Sequence, residues 1–378
     1  MTDLDFAVTH RRLLHQIPET SMEEVQTTAH ILRFLDELNI SYERPLKTGV
    51  VAYMDGNSDR TFAFRADIDA LPIHEENDVE FRSLTDNRMH ACGHDGHTTA
   101  LMLFVQRCSI LKERGILPHN VIFIFQPSEE TAAGADQLLR SWTPEGKVEA
   151  VFGIHLMPDE DEGKVMIRDG SITASATEYR FRIAGDSSHV ASKHQGISAV
   201  EVLMHLSTQI SQLQHFHLDG LNRNIVHIGN MNAGEAINTV ASQGYLEGTI
   251  RTYVPEDLEA IKDRLKLLGE TAETLFGAEV NVTFNEGYPP VVNDASLRST
   301  VDEALGNLKV EAVDKDKPYL FGEDFSFYNK LAPSYFVFFG SRNEEKGYTG
   351  SLHTSTFNFD EKVLVEVADY YESILNSL

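Results

Sequence analysis

The feature that most constrains this chain is the run Asn120-Val-Ile-Phe-Ile-Phe125. It is continuously apolar after its first residue and does not alternate. A strand of this kind has to be covered on both faces, which is how strands read in a sheet flanked by helices. Residues 148–154 read the same way, and residues 334–339 predict a further buried strand near the C-terminus. Shorter apolar runs stand at 50–53 and 61–64. Helical spacing falls around these runs. Val25, Ala29, Leu32 and Leu35 predict a helix to about Leu38, opened by Ser21 to Glu24 as a capping box. Ala100, Leu101, Phe104, Val105, Cys108 and Leu111 predict a second helix following His97. Val363, Val365, Val367 and Leu375 belong to a C-terminal helix. Strands alternating with helices give an α/β fold with a mostly parallel sheet.

From about Thr173 the order of elements changes. A strand at 178–183 precedes an amphipathic helix at 196–213 that carries Val200, Leu203, Leu206 and Ile210. Strands at 224–228 and 244–253 follow, then a helix opened by Pro255, then a strand at 280–284. This βαββαβ order is the ferredoxin-like pattern. A chain of 378 residues also exceeds what one core usually supports. The expectation is therefore a catalytic domain made of 1–172 and 289–378, interrupted by a satellite domain over 173–288.

Charge and composition narrow the partners. The formal net charge is −26, and so acidic a surface repels phosphate backbones. Neither nucleic acid nor an anionic membrane is expected as a partner. The N-terminal residues carry Asp3 and Asp5 and no long apolar run, so no signal peptide is read there. No uninterrupted apolar stretch is long enough to span a membrane. Two cysteines, Cys92 and Cys108, make no disulfide framework. A cytoplasmic location is the expectation.

Four segments share one arrangement, an apolar strand followed by reactive residues. The run at 62–64 leads to Arg65, Asp67 and Asp69, and the run at 121–125 leads to Glu129-Glu130. The run at 150–154 leads to His155, and the run at 335–339 leads through a glycine-containing loop to His353. In open α/β sheets ligands bind at the carboxyl ends of strands, so these residues are expected to converge. A fifth segment, Met89-His-Ala-Cys92-Gly-His94-Asp-Gly-His97, packs three histidines, a cysteine and an aspartate into one short stretch opening a helix. Thiolate and imidazole suit zinc and neighbouring transition metals. The competing reading is a plain helix start with Asp95 as cap and Cys92 buried. Adjacent acids such as Glu129-Glu130 are usually a solvated pair. After a buried strand and Pro127 they read instead as a sheet-edge pair, one ligating metal and the other moving a proton.

These motifs, in this order, resemble the di-metal aminoacylase and carboxypeptidase family of peptidases. The nearest subfamily is that of bacterial aminoacylases, N-acetyldiaminopimelate deacetylases and plant auxin-conjugate hydrolases. The resemblance is carried by His15-Gln-Ile-Pro-Glu19, by residues 65–72, 89–97 and 126–130, and by Gly153-Ile-His155. Residues 234–238, Gly248-Thr-Ile-Arg251, Gly322-Glu-Asp-Phe325 and Leu352-His353 add to it. The stretch Phe321-Gly-Glu-Asp-Phe-Ser-Phe327 is most similar to the N-acetyldiaminopimelate deacetylases, which act in lysine biosynthesis. The resemblance implies Cys92, His94, Glu130, His155 and His353 as ligands of two divalent ions, with zinc, manganese, cobalt and nickel all open. It implies Glu129 as general acid and base, Asp67 as the aspartate that orients a ligand, and His189 as the histidine that steadies the oxyanion. Asn238 and Arg251 would hold the substrate's carboxylate. The implied activity is hydrolysis of the amide bond of an N-acyl amino acid by a homodimer. An exopeptidase or dipeptidase would use the same residues, and a non-catalytic metal-binding scaffold would not need Glu129. Ser187 and Ser188 stand where the family commonly has two glycines, Ser128 where it has alanine, and Arg65 where other branches have a ligand histidine. His194 and His227 are read as packing or surface residues.

Overall fold

The computed structural model describes residues 1–285 and 287–378, with Ala132 and Gln214 as backbone only. Along the chain come α1 (Asp3–Gln16), α2 (Val25–Glu37), β1 (Ser41–Glu43), β2 (Val50–Met54), β3 (Thr61–Asp67), α3 (His94–Glu113) and β4 (Asn120–Gln126). Next are α4 (Glu129–Ala132), α5 (Gly134–Ser141), β5 (Val148–Asp161), β6 (Lys164–Ile167) and β7 (Gly170–Ser171). The middle of the chain forms β8 (Thr177–Ala184), α6 (Ala199–Phe216), β9 (Asn224–Ala233), β10 (Gln243–Thr252), α7 (Pro255–Phe276) and β11 (Glu279–Phe284). The chain closes with β12 (Val292–Asn293), α8 (Arg298–Gly306), β13 (Glu311–Asp314), β14 (Ser334–Arg342) and α9 (Lys362–Ser377). Two compact units result. One is Met1–Ile172 with Val292–Lys317 and Asp324–Leu378; the other is Thr173–Val291 with Pro318–Glu323.

The first unit is built on an eight-stranded sheet in the order β1-β2-β4-β3-β5-β14-β6-β13. The interior run β4-β3-β5-β14 is parallel throughout, and β13 runs parallel to β6. The other three pairings are antiparallel. The mixed α/β architecture expected from the apolar runs is thus the observed one. Phe64 of β3 meets Phe104 of α3 and Tyr371 of α9 edge-on, at ring-centroid distances of 4.7 and 5.2 Å. These contacts fix both helices over the centre of the sheet. Because β3 and β4 are parallel neighbours with Asp67 beside Gln126, their carboxyl ends open at one place.

The second unit is a four-stranded antiparallel sheet in the order β11-β8-β10-β9, with the connectivity βαββαβ. Burial alternates along β8. Tyr179, Phe181 and Ile183 face the core with Leu203, Leu206 and Ile210 of α6 and with Leu258, Ile261 and Leu265 of α7. Glu178, Arg180 and Arg182 face the other way and are exposed, and Arg180 pairs there with Glu247 of β10. Among the described residues no helix is long and apolar enough to cross a membrane.

Several local expectations need correcting. Helix α1 has no counterpart in the sequence reading, because its buried face includes Arg11 and His15 beside Phe6, Ala7 and Leu14. The capping box at 21–24 does not form. Helix α2 is capped instead by the Glu19 carboxylate, which accepts from the backbone N–H groups of Gln26 (2.8 Å) and Thr27 (3.0 Å). Ser21 turns away, and Glu24 is buried and accepts from the Ser128 backbone at 2.9 Å. Helix α3 starts at His94, three residues before His97, on a left-handed Gly93 with φ 88°. Glu129-Glu130 does not sit at a sheet edge: β4 is an interior strand, and the pair opens the helical turn α4. His155 lies inside β5, where it neighbours Phe338 of β14.

Candidate metal centre

The start of helix α3 carries two of the expected residues. Gly93 turns the chain so that Cys92 and His94 flank the helix start, both buried. Cys92 Sγ stands 3.3 Å from His155 Nε2 of β5. Donor atoms of Cys92, His94 and His155 lie within 4.8 Å of one another, as do those of Cys92, Glu130 and His353, and those of His94, Glu129 and Glu130. His353 Nε2 is 3.3 Å and His94 Nε2 3.9 Å from Glu130 Oε1. His353 reaches this place on a loop beyond β14. Its backbone is left-handed at φ 60°, and its N–H donates to the Ala91 carbonyl at 2.9 Å. Ser128 (φ 61°) and Ala133 (φ 48°) are left-handed on either side of α4. Non-glycine residues in this region cost conformational energy, and such residues gather at functional sites.

The second layer is as ordered as the first. His94 Nδ1 faces the Asp69 carbonyl oxygen at 3.0 Å and Asp69 Oδ1 at 3.2 Å. His97 is threaded between Asp67 and β5. Its Nδ1 lies 2.7 Å from Asp67 Oδ1, and its Nε2 accepts from the Leu156 N–H at 3.0 Å, which leaves Nδ1 as the donor. The other Asp67 oxygen takes Arg65 Nη1 at 2.8 Å. Arg65 goes on to Asp324 Oδ1 at 2.6 Å and Gln126 Oε1 at 2.8 Å. Asp67 approaches His94 Nε2 only to 3.6 Å. The Asp324 N–H lies 3.4 Å from Glu129 Oε1.

Electrostatics mark the place where positive charge is missing. Burial, then Glu130, Glu129 and Asp67, push the Cys92 thiol well above its ordinary range. Burial acts to lower His94, but Asp67, Asp69 and Glu130 outweigh it and raise the imidazole to about 10. Burial would raise Asp67, yet His94, His97 and Arg65 hold it well below the usual carboxylate range. Among these donor atoms, two that are buried make no hydrogen bond, His94 Nε2 and Glu130 Oε1. Buried polar atoms of this kind require an explanation. Divalent cations supply one. Sulfur, nitrogen and oxygen donors suit zinc-like ions, and two donors on one tetrahedral ion stand about 3.4 Å apart. The residues present therefore fit a divalent metal, with Cys92, His94, Glu130, His155 and His353 as the donors gathered there.

Comparison with known proteins agrees with this geometry. The model of peptidase family M20/M25/M40 matches residues 63–377. The chain belongs to that family. An uncharacterized hydrolase of Staphylococcus haemolyticus is 59% identical over 377 residues, 99% of this chain and 98% of the relative. The Bacillus subtilis YxeP protein, a dinuclear metal-binding peptidase of family M20, superposes with a TM-score of 0.84 at 32% identity, over 99% of this chain and 97% of that one. A crystal structure from methicillin-resistant Staphylococcus aureus gives a TM-score of 0.93 at 28% identity, over 99% and 97%. This M20 chain is a metal-dependent hydrolase.

The remaining expected residues of the M20 chain lie in the second unit. His189 is exposed, and its strand-like segment pairs with Thr239. The Val190 N–H donates to the Asn238 carbonyl at 3.0 Å, so His189 and Asn238 share one loop pair. Arg251 is on β10, opposite Ile225. Two residues at the metal centre carry roles that the sequence reading did not assign. His97 was visible in the cluster at 89–97, and Asp69 in the motif at 65–72. Nothing in sequence spacing says that either reaches across to α4 or β5.

Proposed function

We propose that this M20 hydrolase cleaves the amide bond of an N-acyl amino acid, with N-acetyl groups as the acyl part and N-acetyl-diaminopimelate as the leading substrate. The observation that carries the reading is the donor set of buried Cys92, His94 and His155 with half-buried Glu130, and Glu129 beside it. The stretch at 321–327 supports the choice of substrate. In this reading Cys92, His94, Glu130, His155 and His353 hold two divalent ions, of zinc, manganese, cobalt or nickel. Bound there, such ions polarise the acyl carbonyl and make a nearby water acidic. Glu129 accepts a proton from the attacking water as its oxygen bonds to the acyl carbon. When the carbon–nitrogen bond breaks, Glu129 returns that proton to the departing nitrogen. Asp67, fixed by Arg65 and His97, keeps negative charge beside His94 Nε2. His189 steadies the oxyanion, and Asn238 and Arg251 hold the substrate's carboxylate.

Catalysis then belongs to 1–172 and 289–378, and substrate holding and assembly to 173–288. A homodimer through the second unit is part of the proposal. Strand β9 is at the edge of its sheet, and Val190, Val200, Met204 and Ile237 are exposed apolar residues around one hollow near His189. Sedimentation showing only monomer across micromolar concentrations would remove it. Both cysteines are free thiols, which suits a reducing cytoplasm. The deciding experiment is a substrate panel with metal-loaded protein. N-acetyl-diaminopimelate is expected to turn over fastest among N-acyl amino acids. Faster turnover of dipeptides would replace the reading with an exopeptidase.

A further inference from the structure

One side chain ties together three residues on which that chemistry rests. Asp69 lies two residues beyond β3 and is fully buried. Its Oδ1 accepts from His94 Nδ1 at 3.2 Å, a donor shared with the Asp69 carbonyl oxygen at 3.0 Å, and from the Glu129 backbone N–H at 3.1 Å. Its Oδ2 accepts from the Glu130 backbone N–H at 3.1 Å and from the Ser21 hydroxyl at 2.7 Å. A carboxylate offers about four acceptor sites, and four donors meet it here. The first N–H groups of a helical turn are normally satisfied by a side chain just before it. Ser128 precedes α4 and provides no such bond, so Asp69 does this work from the end of a different strand.

The chemical consequence reaches both functions of the site. With Nδ1 donating to Asp69, Nε2 of His94, the buried nitrogen that has no hydrogen bond, is the one left to meet a metal ion. The same carboxylate pins the backbone of α4, which carries Glu129 and Glu130. Asp67 makes neither contact: its oxygens meet Arg65 and His97, and it approaches His94 only at Nε2, to 3.6 Å. We propose that Asp69 is the positioning residue of the metal centre, one carboxylate that sets the His94 imidazole and the Glu129-Glu130 turn in a single register. This rests on the reading of the site given above.

Asp69→Asn tests it. The amide keeps the shape but points an N–H₂ group at one pair of donors. Zinc affinity, read by competition with a chromogenic chelator, is expected to fall about 10–100-fold, as for loss of other partners behind a metal ligand. At saturating zinc, kcat on N-acetyl-diaminopimelate should fall with KM nearly unchanged. In a Glu129→Gln background the same substitution should cost less than about 3-fold more in kcat, because residues acting as a unit are not additive. If Asp69→Asn does not fold, Asp69→Ser leaves room for water to serve the backbone donors and should show the same loss of zinc affinity. Folded variants with zinc affinity within about 3-fold of the parent, or fully multiplicative kcat losses, overturn the proposal. Should Glu129→Gln alone keep turnover, the assignment of the shuttle fails, while the zinc affinities still decide Asp69.

Discussion

Two polar clusters lie against each other in the first unit and meet at Asp67. In one, Arg65, Asp67, Gln126 and Asp324 answer each other's charges and hydrogen bonds. Asp324 Oδ2 also takes the Ala135 N–H at 2.9 Å, and Tyr328 donates to Gln126 Oε1 at 3.2 Å. In the other, a thiol, three imidazoles and a carboxylate stand together, and His94 Nε2 and Glu130 Oε1 are left without hydrogen bonds. Cys92, His94 and His155 are as buried as the first cluster, while Glu130 is half-buried and His353 exposed, so burial alone does not distinguish a scaffold from a site. What distinguishes them is a resident cation. Arg65 bridges both carboxylates of the first cluster, Asp67 and Asp324, whereas the second has no arginine or lysine among its donors and fits cations from outside.

That contrast can be broken at either cluster. The largest effect is expected at the open one. Removing metal with a chelator should abolish hydrolysis, and adding zinc, manganese, cobalt or nickel back should restore it. Glu130→Gln should lose metal and turnover together, measured as metal content beside activity in one preparation. Turnover by metal-free protein would dissolve the distinction between the clusters.

At the closed cluster the expected loss is of stability. Arg65→Met leaves Asp67 and Asp324 buried without their cation. Breaking a buried pair this way costs about 3–5 kcal/mol. Thermal unfolding of the metal-free variant should therefore start well below that of the parent. An unchanged Tm would mean that Arg65 is not what completes the cluster.

How far all this was legible in the sequence depended on what each face of an element buries. Helices α6 and α7 and the strands around them bury aliphatic side chains at regular spacing, and their order could be read directly. Helix α1 could not, since Arg11 and His15 occupy its buried face. The gathering of the candidate metal donors was legible because cysteine and histidine are dense at 89–97 and because parallel strands gather their carboxyl ends. The role of Asp69 was not, because it joins residues about 25 and 60 positions away in sequence through a carboxylate that looks like any other in a chain with 58 acids.

A smaller effect is expected away from both clusters. His10 Nδ1 and His30 Nε2 stand 2.9 Å apart between α1 and α2. Burial lowers both from the ordinary 6.5 to about 4, with His10 and Arg33 adding to the effect at His30. The unfolded chain then binds more protons than the folded one between those values, so stability is full above pH 6.5 and declines as pH falls toward 4. The Tm of metal-free protein should fall over that window, and less steeply in His10→Phe. Equal slopes would remove the pair from the account.

The central claim is that cations complete the open cluster while Glu129 moves the proton. Glu129→Gln keeps size and shape and cannot accept that proton. With metal content and turnover measured on the same sample, it should hold its metal while kcat falls by about 10²–10⁴. Near-full turnover with metal bound would contradict the claim.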